Sequence, residues 1–510
     1  MNALAKHTQK RTGNSILRAC LVGISLLLQI GWLLLVILEL NHYSTYISLL
    51  SGILAALIVL GLYSKNTNSA FKLPWIMLIM ALPVMGLSLY LMTQILGKSP
   101  YTKKKLKEVR EEIQAAIAPD SFVPDGISVA GQMRYLQKHG NHPVFSDTSV
   151  TYYPQATQAL EDMLEALEKA ENFIFMEYFI VDNGEAFQKI REILVRKAQT
   201  GVEVRLMYDD FGSIGYVNLE FARELNRQGI QCRVFNPAMP ILNLFMNHRD
   251  HRKITVIDGK VAFTGGYNLA DEYFDLARPY GHWKDTGIRL EGDAVQSMTA
   301  AFLELWCVTE RKEENFERYL TIEHCVPAQG LVQPYTDSPL DQEPTAEDVY
   351  LNIINQARDY VYFMTPYLII TDELGRALGL AAKRGVDVRI ITPGIPDKKA
   401  VYAVTRSYYA GLVQNGVRIF EYTPGFCHAK QCVCDSIIAS IGTSNLDYRS
   451  LYHHFENNVL LYDCPVIGDI ERDFLDTFSI CREVTQAYQN PRSVVMRIWQ
   501  CMLRLFAPMM

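Results

Sequence analysis

The chain carries one chemical pattern twice, and the two copies constrain the fold more than any other feature. The first copy, NHRDHRKITVIDGKVAFTGGYN from Asn247 to Asn268, sets His251, Lys253 and Asp258 in an H-x-K-x4-D array, followed by Gly265, Gly266 and Asn268. The second, FCHAKQCVCDSIIASIGTSN, repeats it as His428, Lys430 and Asp435, then Gly442, Ser444 and Asn445. One such array carries little weight as a motif. Two, each followed by small residues and an Asn at matching spacing, imply two related units with one shared purpose.

Within each copy the local structure is legible. Val256 and Ile257 lead into Asp258-Gly259 and apolar residues resume at Val261, which reads as strand, two-residue turn, strand. Side chains two apart on a strand share a face, so His251 and Lys253 point the same way and Arg252 the other. A His beside a Lys suits a phosphate: the Lys neutralises the oxygens and the His supplies a nucleophilic or proton-transferring nitrogen. The array puts His251, Lys253, Asp258, His428, Lys430 and Asp435 forward as catalytic candidates. For Asp258 at the turn, fixing the loop is the more ordinary role. Lys253, Lys430, Asn268 and Asn445 are candidates for holding phosphate oxygens, while Gly265, Gly266 and Gly442 permit close backbone approach to a ligand.

The order of elements around the motifs also repeats. A helix near 156–170, the strand FIFMEYFI from Phe173, another helix and GVEVRLM from Gly201 precede the first motif. A helix near 346–357, the strand VYFMTPYLI from Val361, a helix and GVDVRII from Gly385 precede the second. Helices alternating with short apolar strands predict an α/β layer structure in each half.

The double array resembles the signature of the phospholipase D superfamily. WKDT at Trp283–Thr286, RLEG at Arg289–Gly292, FLELW at Phe302–Trp306, GTSNLDYRS at Gly442–Ser450 and FENN at Phe455–Asn458 narrow the resemblance to the bacterial cardiolipin synthases, from about Leu73 to the C-terminus. The chain departs from that family's pattern at Ala270, where Gly is usual, and in an extra apolar segment near the N-terminus. The resemblance implies two tandem α/β/α lobes about a pseudo-two-fold axis, with both motifs in one cleft. It implies transfer of a phosphatidyl group between two phosphatidylglycerol molecules, giving cardiolipin and glycerol, with no cofactor and no metal. His251 is then the expected nucleophile and His428 the acid/base. Ser444 and Glu456 are supporting residues, Glu456 orienting an imidazole, and for Glu272 in the first lobe a matching role and a structural one both stand. A phospholipase D or another phosphatidyltransferase is the alternative.

Composition bears on the remaining classes. A formal net charge of −6 over 510 residues gives no general attraction to nucleic acid. Ten Cys include no C-x-x-C pair, and Cys427, Cys432 and Cys434 read as small apolar strand residues. His453 and His454 lie close to Glu456, but the sequence offers no third metal ligand. Three uncharged apolar runs, 19–38, 46–63 and 73–92, predict an anchor of two to three transmembrane helices within residues 1–97, in the cell membrane with the catalytic lobes on the cytoplasmic face. Residues 98–147 read as a basic stalk and linker, its 103–117 helix either lying on anionic headgroups or exposing a solvated face. The first lobe is expected over 148–325, the second over 326–490 and an amphipathic tail over 491–510, where an interfacial helix and a core-docked helix both fit. Ile241, Leu242, Leu244, Phe245 and Met246 suggest either a lip for acyl chains or a buried loop.

Overall fold

In the computed structural model, the described residues are 45–96, 100–117, 123–218, 220–237, 247–309, 315–320, 324–341, 343–489, 493–505 and 507–509, with scattered positions between 24 and 38. The apolar cluster 241–246 and most of the 19–38 run lie outside them.

Two sheets built on one plan hold the molecule together. The first comprises β1 (Thr148–Tyr153), β2 (Phe173–Tyr178), β3 (Glu203–Asp209), β4 (Gln231–Phe235), β6 (Lys253–Ile257), β7 (Val261–Gly265) and β9 (Gly287–Gly292), in the order β1-β9-β7-β6-β2-β3-β4. Between these come two short strands, β5 (Arg249–Asp250) and β8 (His282–Lys284). The second half contains β10 (Leu331–Asp337), β11 (Tyr360–Met364), β12 (Leu368–Ile369), β13 (Asp387–Pro393), β14 (Arg418–Tyr422), β15 (Gly425–Cys427), β16 (Gln431–Cys434), β17 (Ile438–Gly442), β18 (Leu446–Asp447), β19 (His454–Tyr462) and β20 (Cys481–Glu483). Its main sheet runs β10-β19-β17-β16-β11-β13-β14-β20. Strand for strand this repeats the first order, with β20 added at the edge. Parallel β2–β3–β4 and β11–β13–β14 need helical crossovers, which supply the outer helices; antiparallel hairpins carry the motifs.

The sheets share one core. Phe175, Ile254 and Val256 from the first meet Val433, Ile441 and Val459 from the second, joined by Phe302 and Trp306 of helix Val295–Thr309 and Phe474 of helix Val466–Ile480. Separate apolar clusters lie under the outer helices of each half. The lobes are thus fused through their inner faces, which fixes the two motifs relative to each other.

Helix Pro100–Ala116 joins this core through one face. Its Leu106, Val109 and Ile113 form a buried stripe, and Arg110 pairs with Glu304 and, at 3.0 Å, with Asp341. The basic face is solvated, with Lys104 and Lys107 paired to Glu108 and Glu111 one turn on.

The 46–63 run forms helix Thr45–Tyr63, with Leu49, Leu50, Leu57 and Leu60 exposed. The 73–92 run is not the single helix expected of it. It forms helices Ser69–Ala81 and Pro83–Leu96, because Leu82 precedes a proline and is driven to φ −137°, ψ 76°, outside the helical region. The chain turns so sharply that a Cβ on Gly86 would lie 2.6 Å from Ile79 Cα. Among the described residues no helix is long and apolar enough to cross a membrane. These helices dock on the second lobe: Phe71 packs edge-on against Tyr448, Tyr452 and His453, and the Asn68 amide donates to the Tyr452 hydroxyl at 3.2 Å. The C-terminal helix Val494–Leu505 rests beside them through Leu503 and Arg504, while Val495, Ile498, Trp499 and Met502 remain exposed.

Candidate active site

Each motif histidine is gripped by the opposite lobe. Strand β5, just before His251, pairs in parallel with the start of β19; β15, just before His428, pairs in parallel with β8. The His251 N–H donates to Phe455 O at 2.9 Å, and its Nδ1 lies 2.9 Å from both oxygens of Glu456, the next residue. In the same way the His428 N–H donates to Lys284 O at 2.7 Å, and its Nδ1 lies 2.6 Å from Oδ2 of the next residue, Asp285. Backbone and side chain of two consecutive residues therefore fix each ring. With a carboxylate on Nδ1, the Nδ1–H tautomer is favoured and Nε2 is the nitrogen left for chemistry.

Both carboxylates are themselves anchored. Glu456 accepts from the Ser450 hydroxyl at 2.6 Å and from Thr443, and Asp285 accepts from the Thr286 N–H at 3.0 Å. Sequence reasoning gave Glu456 a role in orienting an imidazole but missed Asp285, although it sits inside the WKDT segment. Glu272, the first-lobe residue considered for that role, accepts from the Tyr216 hydroxyl at 3.0 Å. The missed signal was positional: Asp285 directly follows β8 and Glu456 is the third residue of β19, each next to residues that pair with a strand of the opposite lobe.

The lysines complete the pair. Lys253 Nζ donates to His251 O at 2.5 Å, and Lys430 Nζ lies against the His428 ring, 3.0 Å from Nε2. Burial and then the neighbouring lysine charges hold His251 well below the ordinary imidazole range, and burial with Lys430 brings His428 down to about 4. Burial also lowers Lys253 to about 7, with Lys430 acting in the same sense, and lowers Lys430 to about 8. Burial alone would raise the Asp285 carboxyl, but His428 and Lys430 outweigh it and hold it ionised below its usual range. Both imidazoles are therefore neutral near pH 7, beside lysines poised to gain or lose a proton there.

Asp258 and Asp435, carried as catalytic candidates, do structural work instead. Asp258 accepts from the N–H groups of Glu171, Asn172 and Phe173 at 2.7–2.8 Å, and Asp435 from those of Arg358, Asp359 and Tyr360 at 2.8–3.0 Å. Each ties the far end of the motif hairpin to the start of the neighbouring strand. Five residues of strand, roughly 16 Å, separate Asp258 from Lys253. The positive φ of Asp258 (53°) and Gly259 (67°) completes the expected two-residue turn.

The glycines, read as clearance for a ligand, make room for the protein itself. A Cβ on Gly266 would fall 2.0 Å from Asp285 Oδ1, one on Gly265 2.4 Å from Thr286 O and one on Gly442 2.4 Å from Asn457 O. Asn268 Oδ1 accepts from the Ile180 N–H at 3.1 Å. The Asn445 N–H donates to the Ser450 hydroxyl at 3.1 Å, and its side-chain oxygen is buried without a partner. Ser444 is held by the amide of Asn458, which donates to its hydroxyl at 2.7 Å. The Cys residues around the second motif are buried strand thiols, and the described cysteines are all free.

The profile of the family described as "Cardiolipin synthase, PLD-like domain" matches residues 163–306 and 350–477, one stretch per lobe. The chain belongs to this family. A cardiolipin synthase of Geobacillus kaustophilus is 32% identical over 461 residues, covering 88% of this chain and 90% of that protein. One from Clostridium perfringens is 31% identical over 456 residues, covering 88% and 95%. An uncharacterized protein of Streptococcus mutans is 42% identical over 462 residues, covering 89% and 99%. Among solved structures, the phosphatidylserine synthase of Haemophilus influenzae has the same fold, with a TM-score of 0.55 at 14% identity over 74% of this chain and 97% of that one. The family match thus takes in both lobes and both motifs.

Proposed function

We propose that the protein is a cardiolipin synthase, transferring a phosphatidyl group between two phosphatidylglycerol molecules through a phosphatidyl-histidine. One observation carries the reading: two neutral imidazoles, each with Nδ1 on a carboxylate from the opposite lobe and each beside a buried lysine. A phosphodiester needs its oxygens neutralised, an in-line nucleophile and a proton for the leaving alkoxide. Lys253 and Lys430 meet the first need, with Asn268 and Asn445 as further candidate contacts. His251 Nε2 attacks phosphorus and forms the P–N bond. The bond from phosphorus to the glycerol headgroup oxygen breaks, and that oxygen takes a proton from His428 Nε2. His428 then removes the proton from a glycerol hydroxyl of a second phosphatidylglycerol. That oxygen attacks phosphorus, and the P–N bond breaks.

His428 must be protonated for the first step, although it is neutral in the free protein. The incoming phosphate anion offsets the repulsion from Lys430, and Asp285 then favours the imidazolium. His251 is favoured as nucleophile because Glu456, Thr443 and Ser450 fix its ring through Nδ1 and the carboxylate, while Lys430 Nζ crowds the His428 ring at 2.6 Å from Nδ1 and 3.0 Å from Nε2.

The apolar helices are read as embedding the protein in the cell membrane, with the lobes on the cytoplasmic face. Their attachment at Tyr448–His453, a few residues before Glu456, supports holding the cleft near lipid headgroups. Buried free thiols in the lobes agree with a reducing compartment. The sharp turn at Leu82 supports a re-entrant or interfacial hairpin for the third apolar run.

Mass spectrometry of lipids after incubating purified full-length protein with phosphatidylglycerol alone tests the function. Cardiolipin is expected; no change in lipid composition under conditions that keep the protein folded would refute it.

A further inference from the structure

The doublet His453-His454 lacks a third metal ligand in sequence, but the fold brings one from the other lobe. His251, His454 and Glu456 place candidate ligand atoms all within 4.8 Å of one another. His251 Nδ1 is 2.9 Å and His454 Nδ1 3.7 Å from Glu456 Oε1. These values bracket the roughly 3.3 Å expected between tetrahedral ligands about 2.0–2.1 Å from a zinc ion. A second observation points the same way. The His454 side chain is 10% exposed, and its Nδ1 is a buried polar atom with no hydrogen-bond partner. A buried imidazole nitrogen left unpaired carries a cost that ligation would remove.

We propose that His251, His454 and Glu456 form a site for a borderline-soft divalent ion such as Zn2+, and that occupancy switches off phosphatidyl transfer. The two imidazole nitrogens and the carboxylate oxygen are a zinc donor set, and three protein ligands leave one tetrahedral position for water or a phosphate oxygen. The ion takes Nδ1 of His251, and the proton there moves to Nε2, so the lone pair needed to attack phosphorus is lost. His454 binds through Nδ1 with its proton on Nε2. That gives up only a long 3.4 Å contact with Arg449, which keeps its 2.6 Å bond to Asn247. No net proton leaves either ring. Lys253 opposes the ion's charge and Glu456 favours it. The switching claim rests on the transfer reaction proposed above; the binding claim does not.

The test uses full-length protein carrying Cys325→Ser, which removes the other candidate group among the described residues, Asp147, Asp293 and Cys325. Co2+ is titrated and its visible absorption followed, since a tetrahedral site gives a strong band. One equivalent is expected to bind with that band, and His454→Ala should weaken it by at least about 100-fold. Zn2+ should inhibit lipid transfer by the parent protein and much less by His454→Ala, whose metal-free activity stays near the parent's. His454→Gln serves the binding arm if the alanine variant does not fold. Absence of the band, or equal affinity in the parent and the folded His454 variant, overturns the site. Normal binding with equal Zn2+ inhibition of parent and variant overturns the switch alone. Failure of the parent to transfer any lipid counts against the proposed function and leaves the binding result to decide the site.

Discussion

Asp285, from the first lobe, holds His428, from the second: Oδ2 and Nδ1 are 2.6 Å apart, across the lobe boundary. In the proposed mechanism Asp285 stabilises the His428 imidazolium that protonates the leaving glycerol. Asp285→Asn should therefore lower kcat by about 10²-fold or more while leaving the fold intact, the range expected for loss of acid–base help. Glu272→Gln should stay near wild type. Steady-state transfer assays with a thermal melt on each variant check this; equal activity of Asp285→Asn and wild type would remove Asp285 from the mechanism.

Gly266 makes that contact possible. Gly266→Ala puts a methyl 2.0 Å from Asp285 Oδ1, so it should depress activity about as far as Asp285→Asn does. Gly468, where an added Cβ meets nothing within 4 Å, supplies the control. Comparable rates for Gly266→Ala and Gly468→Ala would show that Asp285 has room to retreat without cost.

Asp258 should behave differently from the histidines beside which it was first grouped. Asp258→Ala leaves three backbone donors without their carboxylate and should destabilise the first lobe by roughly 2–4 kcal/mol. Turnover per folded molecule should change little. Denaturant titration alongside kcat separates the two effects; a loss of kcat as large as that of His251→Ala, in protein still fully folded, would place Asp258 in the chemistry.

The buried lysines set an alkaline limit. With Lys253 at about 7 and Lys430 at about 8, each loses its charge as pH rises through its value, and phosphate binding loses a cation. His428, at about 4 in the free enzyme yet needed protonated, already makes kcat/KM fall with rising pH, and loss of the lysine charges should steepen that fall from about pH 7–8 upward. A bound phosphate anion raises both lysines, so the limb in kcat should lie at higher pH. A kcat/KM profile that does not steepen up to pH 10 would mean that the lysine charges are not needed.

Much of this arrangement was legible in the chain because it depends on local pattern. Spacing alone placed His251 and Lys253 on one face, foretold the Asp258-Gly259 turn and exposed the repeated element order that became two matching sheets. What was not legible depends on residues meeting across the lobes. Asp285 shares no local array with His428; only the β15–β8 pairing brings them together. Gly266 is small because of Asp285, so its meaning was hidden for the same reason. In helix Pro100–Ala116 the lysine cluster drew the eye, but Leu106, Val109 and Ile113 decide where it lies. In 73–92 the hydropathy suggested one span, and the restriction that Pro83 imposes on Leu82 breaks it.

The central claim is that the covalent intermediate meets a lipid hydroxyl rather than water. Glycerol is a product of that reaction, so by reversibility it is also an acceptor. The most direct measurement is the ratio of phosphatidic acid to cardiolipin formed from phosphatidylglycerol across a glycerol titration, together with the fate of added cardiolipin. The account predicts that cardiolipin dominates at low glycerol, and that rising glycerol suppresses its formation and converts added cardiolipin back to phosphatidylglycerol. Phosphatidic acid as the main product at every glycerol level would contradict it and make the protein a phospholipase.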